Sequence, residues 1–373
     1  MATERIELGA PVLRRLEDGR HELGIMVDGR EVVIRSAAAL AETADGAVCA
    51  FFLPALAVGK TVSSAAPIDR MLMDNLGAAA EIARSFWGYS GPLPEAPLTD
   101  RRVPSDVIGQ FFTGGVDSFY TLRRNLQRVQ CLVNVHGFDI MLSDTDRFAW
   151  SRALLQRVAD RLSLRLISVE TDLRQHPLFQ TLSWEVTHVA ALASIAHALA
   201  PGLGQVHVAS SDVPPPWGSH PSLDRLWSSA AVTLINDEEG VRRLDKVKAI
   251  ADWELVHDSL KVCWENRTAD LNCGFCEKCV RTQAQFAVAG HLADLRTFPE
   301  GDLVTRINRL RSVNHDLAGQ WRDIRGELDD PDLRRAIDRL LRRSPIIDGA
   351  KTLLRRAGLT RRRLRRVTFG LAG

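Results

Sequence analysis

The chain has 373 residues, of which 45% are hydrophobic and 25% are charged, and its formal net charge at pH 7 is +2. This composition is typical of a soluble globular protein with room for two domains, and so small a net charge does not by itself indicate a nucleic-acid or membrane partner. No stretch approaches the roughly 18 uncharged apolar residues of a membrane span, and the N-terminus lacks the apolar core of a signal peptide. We therefore expect a cytoplasmic protein without a transmembrane segment.

Residues 1–90 have the pattern of a small α+β module. Residues 20–35 favour two strands, joined by a hairpin turn at Asp28 and Gly29, and residues 67–87 have helical spacing. No spacing typical of a catalytic site occurs in this module. We expect it to dock on the main domain, to gate its site or to mediate assembly, for example into a homo-oligomer.

Residues 91–104 contain four prolines and several charges, which is the composition of a linker. After this linker the chain alternates between strand-like and helix-like segments. The expected strands are residues 107–112, 130–135, 164–169 and 205–209, and the expected helices between them are residues 116–128, 144–162 and 183–200. Such alternation predicts an α/β fold, a doubly wound parallel sheet with helices on both faces.

A glycine-rich loop follows the first of these strands and begins a predicted helix. The unpaired backbone N–H groups and the positive dipole of a helix N-terminus attract anions, and glycines let a phosphate come close. The hydroxyl groups of Thr113 and Ser118 add donors, and the Asp117 carboxylate suits either a loop contact or a magnesium ion. The sequence therefore predicts a phosphate-binding loop made of Thr113, Gly114, Gly115, Val116, Asp117 and Ser118.

Other polar residues follow the neighbouring strands. Ligands of parallel sheets bind outside the carboxyl ends of the strands. His136, Gly137 and Phe138 come after the second expected strand, and Ser211 and Asp212 come after the fourth. We expect these residues to meet the loop in one crevice, with a histidine held in a turn as the alternative for His136.

Two later segments add candidate ligand-binding residues. Residues 212–227 contain three consecutive prolines together with His220 and Asp224, and such a segment can form a substrate lid or an ordinary surface loop. Farther on, a helix-like segment carries Lys246 and Lys248. These lysines can reach a triphosphate, or they can lie solvated on the helix surface.

Four of the six cysteines lie within seventeen residues, which in a reducing compartment indicates a metal rather than disulfides. Four thiolates suit tetrahedral zinc, and a site closed by four sulfurs has a structural role because it leaves no position for water. An iron–sulfur cluster is the alternative, although the usual downstream Cys-Pro is missing. The other two cysteines, Cys49 and Cys131, are expected to be buried, inert thiols. The predicted ligands are Cys263, Cys273, Cys276 and Cys279.

The loop and the cysteines together resemble a known family. Residues 112–118 look like the PP-loop of the N-type ATP pyrophosphatases, whose usual form is Ser-Gly-Gly-x-Asp-Ser, with Thr113 in the place of the first serine. The segment from Cys263 through Phe286 resembles the zinc knuckle of 7-cyano-7-deazaguanine synthase, the nitrile-forming enzyme of queuosine biosynthesis. The two motifs occur in the right order, and the resemblance covers residues 105–292, with the knuckle at residues 263–279.

The resemblance implies an adenine nucleotide α-hydrolase-like fold and a ligase that uses ATP and Mg²⁺. Such an enzyme adenylates a carboxylate or carbonyl oxygen of a small-molecule acid and releases pyrophosphate. Ammonia, another amine or a sulfur donor then displaces AMP, which forms an amide, a nitrile or a thioamide. The implied catalytic residues are Asp117, Ser118 and Lys246. The implied ATP contacts are residues 113–118, His136, Gly137, Phe138 and Lys248.

One segment departs from the family. Deazaguanine synthases carry a Tyr-Pro-Asp-Cys-Arg-Pro-type segment for their purine-like substrate, and residues 218–224 differ from it here. The resemblance therefore predicts the type of reaction without identifying the acceptor. The candidate acceptor contacts are Ser211, Asp212, His220 and Asp224.

Residues 293–373 are expected to form a helical extension with a basic end. Between residues 342 and 366 there are ten Lys or Arg and one acidic residue. Such an end suits an acidic partner, RNA or an anionic membrane, or it is a solvated tail. Two other functions remain open: a tRNA-modifying enzyme on the same nucleotide-binding fold, and a non-catalytic zinc-binding adaptor whose nucleotide site is vestigial.

Overall fold

The structure is a computed structural model, and it describes residues 4–100, 105–213, 215–236 and 240–356, with side chains as far as residue 345. The chain divides into two compact units, Met1–Trp264 and Glu265–Gly373. Much of the basic end predicted at residues 342–366 lies outside the described part. Among the described residues, no helix is long and apolar enough to cross a membrane.

The first unit is an α/β structure around a sheet of ten strands. Two further short strands pair with each other outside this sheet. The strands are β1 (Arg5–Leu8), β2 (Val12–Arg15), β3 (His21–Val27), β4 (Arg30–Ser36), β5 (Thr61–Ser64), β6 (Ile68–Asp69), β7 (Leu98–Thr99), β8 (Ile108–Phe111), β9 (Cys131–His136), β10 (Arg165–Thr171), β11 (Gln205–His207) and β12 (Thr233–Ile235). The helices of this unit are α1 (Asp45–Val58), α2 (Arg70–Trp87), α3 (Val116–Asn125), α4 (Thr145–Arg161), α5 (Trp184–Ala198), α6 (Pro221–Asp224), α7 (Arg243–Ile250) and α8 (Glu254–Ser259).

One half of the sheet is parallel, in the order β12-β11-β8-β9-β10. The central strand β9 is almost entirely buried, as expected for a parallel strand covered on both faces. The chain runs outward from β8 through β9 and β10 and then returns as β11 on the other side of β8. This reversal creates a topological switch point between β8 and β11, where α/β proteins bind their ligands.

The other half of the sheet comes from the N-terminal residues. Strand β4 pairs antiparallel with β10, and β3, β1 and β5 follow in that order. The predicted hairpin at Asp28 and Gly29 is confirmed, with φ values of 46° and 78° that suit a tight turn with left-handed residues. Side chains reinforce the β4 and β10 pairing, since Ser36 Oγ donates to Ser168 O at 3.0 Å. The N-terminal strands therefore continue the central sheet.

Helices α1 and α5 pack closely on each other beside this sheet. A Cβ at Gly46 would lie 2.7 Å from the carbonyl oxygen of Ser194, so the absence of a side chain at Gly46 permits this approach. Phe51 and Phe52 of α1 are fully buried in a core that includes residues of both halves of the sheet. The predicted α/β class is confirmed, and the sheet is mixed rather than wholly parallel.

The second unit is helical in its described part. Its helices are α9 (Glu277–Val288), α10 (Leu303–Arg309), α11 (His315–Glu327) and α12 (Pro331–Arg356). Trp321, Ile337 and Leu340 are fully buried in its apolar core. Asn314 caps α11 by accepting a hydrogen bond from the backbone of Leu317 at 2.9 Å. The helices expected in the C-terminal extension are therefore present in the described part.

Candidate functional site

The loop between β8 and α3 has the geometry of an anion-binding turn. Gly114 has a φ of +76°, in the left-handed region, and Gly115 is the N-cap residue of α3. The first helical hydrogen bond runs from the N–H of Phe119 to the oxygen of Gly115 at 2.9 Å. The backbone N–H groups of residues 116–118 therefore precede the hydrogen-bond ladder of the helix and lie at its positive end.

Neighbouring groups hold this loop in place. The Ser118 hydroxyl donates to the oxygen of Gly115 at 3.0 Å, and Gln110 Nε2 donates to the oxygen of Ser118 at 2.6 Å. From the segment after α8, the backbone N–H of Lys261 donates to the oxygen of Gly114 at 2.8 Å. Thr113 is exposed, so its hydroxyl group is accessible to a ligand.

Two cations from α7 meet the Asp117 carboxylate. Arg243 Nη1 donates to Asp117 Oδ2 at 2.7 Å, and Lys246 Nζ lies 3.5 Å from Asp117 Oδ1. The side chains of Arg243 and Lys246 are 6% and 0% exposed, whereas that of Asp117 is 24% exposed. Two nearly buried cations therefore share the half-buried carboxylate of Asp117.

The same two cations reach the loop that follows β11. Lys246 Nζ donates to the carbonyl oxygen of Ser210 at 2.6 Å, and the backbone N–H of Arg243 donates to Asp212 Oδ2 at 2.8 Å. Helix α7 thus connects the loops that follow β8 and β11, at the switch point of the sheet. A buried ammonium group needs such partners, because an unpaired buried charge costs several kcal/mol.

The three residues at the end of β9 have contacts of a different kind. His136 stacks on Phe148 with the ring centres 4.0 Å apart, and its Nε2 lies 3.0 Å from the oxygen of Met141. Phe138 is buried, with its ring 5.1 Å from that of Trp184. Gly137 lies between them at a φ of +106°. These contacts fix the His136 ring at the last residue of β9, just before the turn at Gly137, and an adenine contact for these residues stays a prediction.

The remaining predicted contacts near the loops after β8 and β11 differ in how exposed they are to solvent. They are Ser211, Asp212 and Lys248. Ser211 and Asp212 are half-buried beside the switch point, and Asp212 already accepts the hydrogen bond from Arg243. Lys248 is exposed, two positions beyond the buried Lys246 on α7, so the two side chains point to different sides of the helix. Of the two predicted lysines, Lys246 is the one that the structure brings to Asp117.

His220 and Asp224 belong to a network that orders their own segment. Asp224 is fully buried and accepts hydrogen bonds from Ser219 Oγ at 3.0 Å, from the backbone N–H of His220 at 3.0 Å and from Asn236 Nδ2 at 2.6 Å. Burial raises the pKa of Asp224 to about 7, although these three donors act in the opposite direction. The His220 ring lies edge-on to Phe86 at 5.4 Å. An acceptor contact for either residue stays a prediction.

The four predicted cysteine ligands come together. All four are buried, and their sulfur atoms lie within 4.8 Å of one another. The sulfurs of Cys273 and Cys279 are 3.9 Å apart, close to the roughly 3.8 Å edge of a tetrahedron with 2.3 Å zinc–sulfur bonds. The backbone N–H groups of Cys276 and Cys279 point to the sulfurs of Cys273 and Cys276 at 3.3 and 3.4 Å. The buried four-cysteine cluster can therefore hold a metal such as zinc.

Comparison with known protein families, curated proteins and solved structures finds no match. The site described above therefore rests on the chain's own geometry. Sequence reasoning missed Arg243 as a site residue, although it lies three residues before Lys246 and so shares a helix face with it. That spacing is the signal that could have identified it.

Proposed function

We propose that the chain is an ATP-dependent ligase that transfers AMP to an oxygen of a small-molecule acid and releases pyrophosphate. An amine, ammonia or a sulfur donor would then displace AMP. The observation that carries the proposal is the meeting of Arg243, Lys246 and the N-terminus of α3 at the switch point between β8 and β11. The resemblance of the loop to the PP-loop supports the choice of ATP over other anions.

The charge of the cluster fits a polyphosphate. The guanidinium of Arg243 and the ammonium of Lys246 supply two positive charges beside the Asp117 carboxylate. The amides of residues 116–118 add oriented donors at the N-terminus of α3. In this arrangement Lys246 and the amides would stabilise the departing pyrophosphate, whose negative charge increases as the bond to the α-phosphate breaks.

The oxygen donors near the loop also fit a hard cation. Asp117 and Asp212 carry carboxylates, the ligand type that Mg²⁺ prefers. Asp117 would hold the ion, which neutralises phosphate charge when bound. Ser118 would help to keep the loop in its turn through its bond to Gly115.

We also propose that the four-cysteine cluster holds a structural zinc ion. All four sulfurs lie within 4.8 Å of one another, as the ligands of one ion do, whereas the four cysteines of an iron–sulfur cluster are divided among two or more iron atoms and spread farther apart. Four protein sulfurs leave no open position for a substrate.

Calorimetric titration with ATP and Mg²⁺ tests the first proposal. We expect saturable binding to the full-length protein, and pyrophosphate release when a panel of carboxylic acids is supplied with ammonium. Lys246→Met should lower the nucleotide affinity about 30-fold or more, because a charge-assisted contact in a buried site is lost. Arg242→Met is the matched control, since Arg242 is exposed and pairs with Asp245.

A wild-type protein that binds neither ATP nor pyrophosphate would contradict the enzymatic proposal and favour a zinc-binding adaptor. Equal losses of affinity in Lys246→Met and Arg242→Met would show that the effect does not come from the cluster. Nucleotide binding without pyrophosphate release from any acid would leave the nucleotide site standing and reject the small acids tested as acceptors.

A further inference from the structure

The Asp117 carboxylate is the group that would hold a divalent cation, yet both of its oxygens face positive charge. Arg243 Nη1 is 2.7 Å from Oδ2, and Lys246 Nζ is 3.5 Å from Oδ1. At such distances each cation repels a divalent ion that approaches the same carboxylate, and the repulsion is strong because the cluster is nearly buried. In this arrangement Asp117 is a poor metal ligand.

The two cations are held in different ways. Lys246 is fully buried, donates to the oxygen of Ser210 at 2.6 Å and lies 5.6 Å from the centre of the Tyr120 ring. Arg243 is fixed through its backbone, whose N–H donates to Asp212 Oδ2, while its guanidinium reaches Asp117 at the end of a long side chain. Because the backbone and the guanidinium of Arg243 are bonded to different residues, a change of partner at the guanidinium does not require α7 to move.

We propose that Arg243 is a positioning residue that keeps divalent cations off Asp117 until the phosphates of a nucleotide bind its guanidinium. This inference rests on the proposed nucleotide site and adds an order of events to it. A polyphosphate offers Arg243 several anionic oxygens in place of one carboxylate, and the released carboxylate then becomes available to the cation.

The consequence is positive coupling between metal and nucleotide. Because coupling between two binding sites is reciprocal, the nucleotide must raise the affinity for the cation by the same factor as the cation raises the affinity for the nucleotide. Without nucleotide, the cluster remains an internally neutralised group that binds cations poorly.

Electron paramagnetic resonance of Mn²⁺ tests the inference on the zinc-loaded, full-length protein, with and without α,β-methylene-ATP. For the wild type we expect weak Mn²⁺ binding alone and binding about tenfold tighter or more with the analogue. Arg243→Met keeps the apolar stem and removes the charge, so it should bind Mn²⁺ alone about tenfold more tightly than the wild type. Arg243→Lys should resemble the wild type, because it retains a positive charge.

Two further variants locate the effect. Arg242→Met removes an exposed neighbouring arginine and should leave Mn²⁺ binding unchanged. Asp117→Asn in the Arg243→Met background should abolish the gain, which would assign the new Mn²⁺ site to Asp117. A circular-dichroism spectrum equal to that of the wild type establishes that each variant is folded, and Arg243→Gln, which also lacks the charge, takes the place of Arg243→Met if that variant does not fold.

The inference is overturned if Arg243→Met binds Mn²⁺ no better than the wild type and Arg242→Met, or if Arg243→Lys gains as much as Arg243→Met. It is also overturned if the wild type binds Mn²⁺ equally well with and without the bound analogue. The wild type could fail to bind the analogue while Arg243→Met still gains a Mn²⁺ site through Asp117. That result would reject the proposed function, and it would still show that Arg243 keeps divalent cations off Asp117.

Discussion

The guanidinium of Arg243 donates to the carboxylate of Asp117 at 2.7 Å across 126 residues of sequence. The pair forms where α7 meets the N-terminal turn of α3, and both residues also contact other parts of the site. Removing either residue therefore affects the loop before α3, the packing of α7 and the pairing of charges between them.

Asp117→Ala is expected to destabilise the folded protein by about 3 to 5 kcal/mol, because it leaves the nearly buried Arg243 and Lys246 without their carboxylate. Urea unfolding measures the change. Sulfate should recover more of the stability than chloride at equal ionic strength, since a polyvalent anion can take the place of the lost charge. Asp245→Ala, on the more exposed side of α7, is the control, and an equal loss in both variants would contradict the assignment.

Gly114→Ala is expected to cost about 1 to 2 kcal/mol, because the left-handed conformation at a φ of +76° is unfavourable for alanine. The added Cβ would also lie 3.3 Å from Leu155 Cδ2 and from the oxygen of Ser259. Urea unfolding measures the cost, and nucleotide titration shows whether the loop is displaced. Gly202→Ala is the control because its Cβ would meet open space. Indistinguishable stabilities of the two variants would reject the steric argument.

The purified protein is expected to contain one zinc ion per chain and to be colourless. Cys276→Ser should lose the metal, because it removes one of the four closely spaced sulfurs, and much of the helical signal of the second unit should be lost with it. Metal analysis, the visible absorption spectrum and circular dichroism measure these changes. Cys49→Ala should keep its zinc. Visible absorption bands together with bound iron would instead establish an iron–sulfur cluster.

Asp224 is expected to make the folded state less stable as the pH rises. Burial raises the pKa of Asp224 from 3.8 to about 7. Between these two pH values the folded protein keeps a proton on Asp224, whereas the unfolded chain has already released it. The free energy of unfolding is therefore highest below about pH 4 as far as Asp224 is concerned. It falls as the pH rises to about 7, by up to about 4 kcal/mol. Asp224→Asn should show a flatter pH profile, measured by urea unfolding between pH 5 and 8. Parallel profiles would rule out the raised pKa.

The sequence predicted four of the five strands in the parallel half of the sheet, because their signals are local, and it did not predict the short edge strand β12. Each of these four strands lies in a short run rich in apolar residues, and β9 and α4 appear within a few residues of the expected bounds. The cysteine cluster was predictable for the same reason, since close spacing in sequence implies closeness in space.

Long-range relationships escaped prediction. The residues of a strand do not specify which other strand will pair with its edge. Nothing in residues 30–35 therefore indicated that β4 would pair with β10. The position of Arg243 escaped for a related reason. In sequence it is one of several charges on a short helix, and its burial against Asp117 depends on how α7 packs on α3.

The pairing of β4 with β10 also bears on how the protein is made. Val33 donates its backbone N–H to Asp172, a residue that leaves the ribosome 139 residues later. One edge of strand β4 therefore stays unpaired until more than a hundred further residues have been synthesised. Contacts between such distant residues slow folding, because a long loop must close before they form. Until β10 has been synthesised, the edge of β4 that pairs with it stays open, and an open strand edge can pair wrongly with other chains, which chaperones prevent.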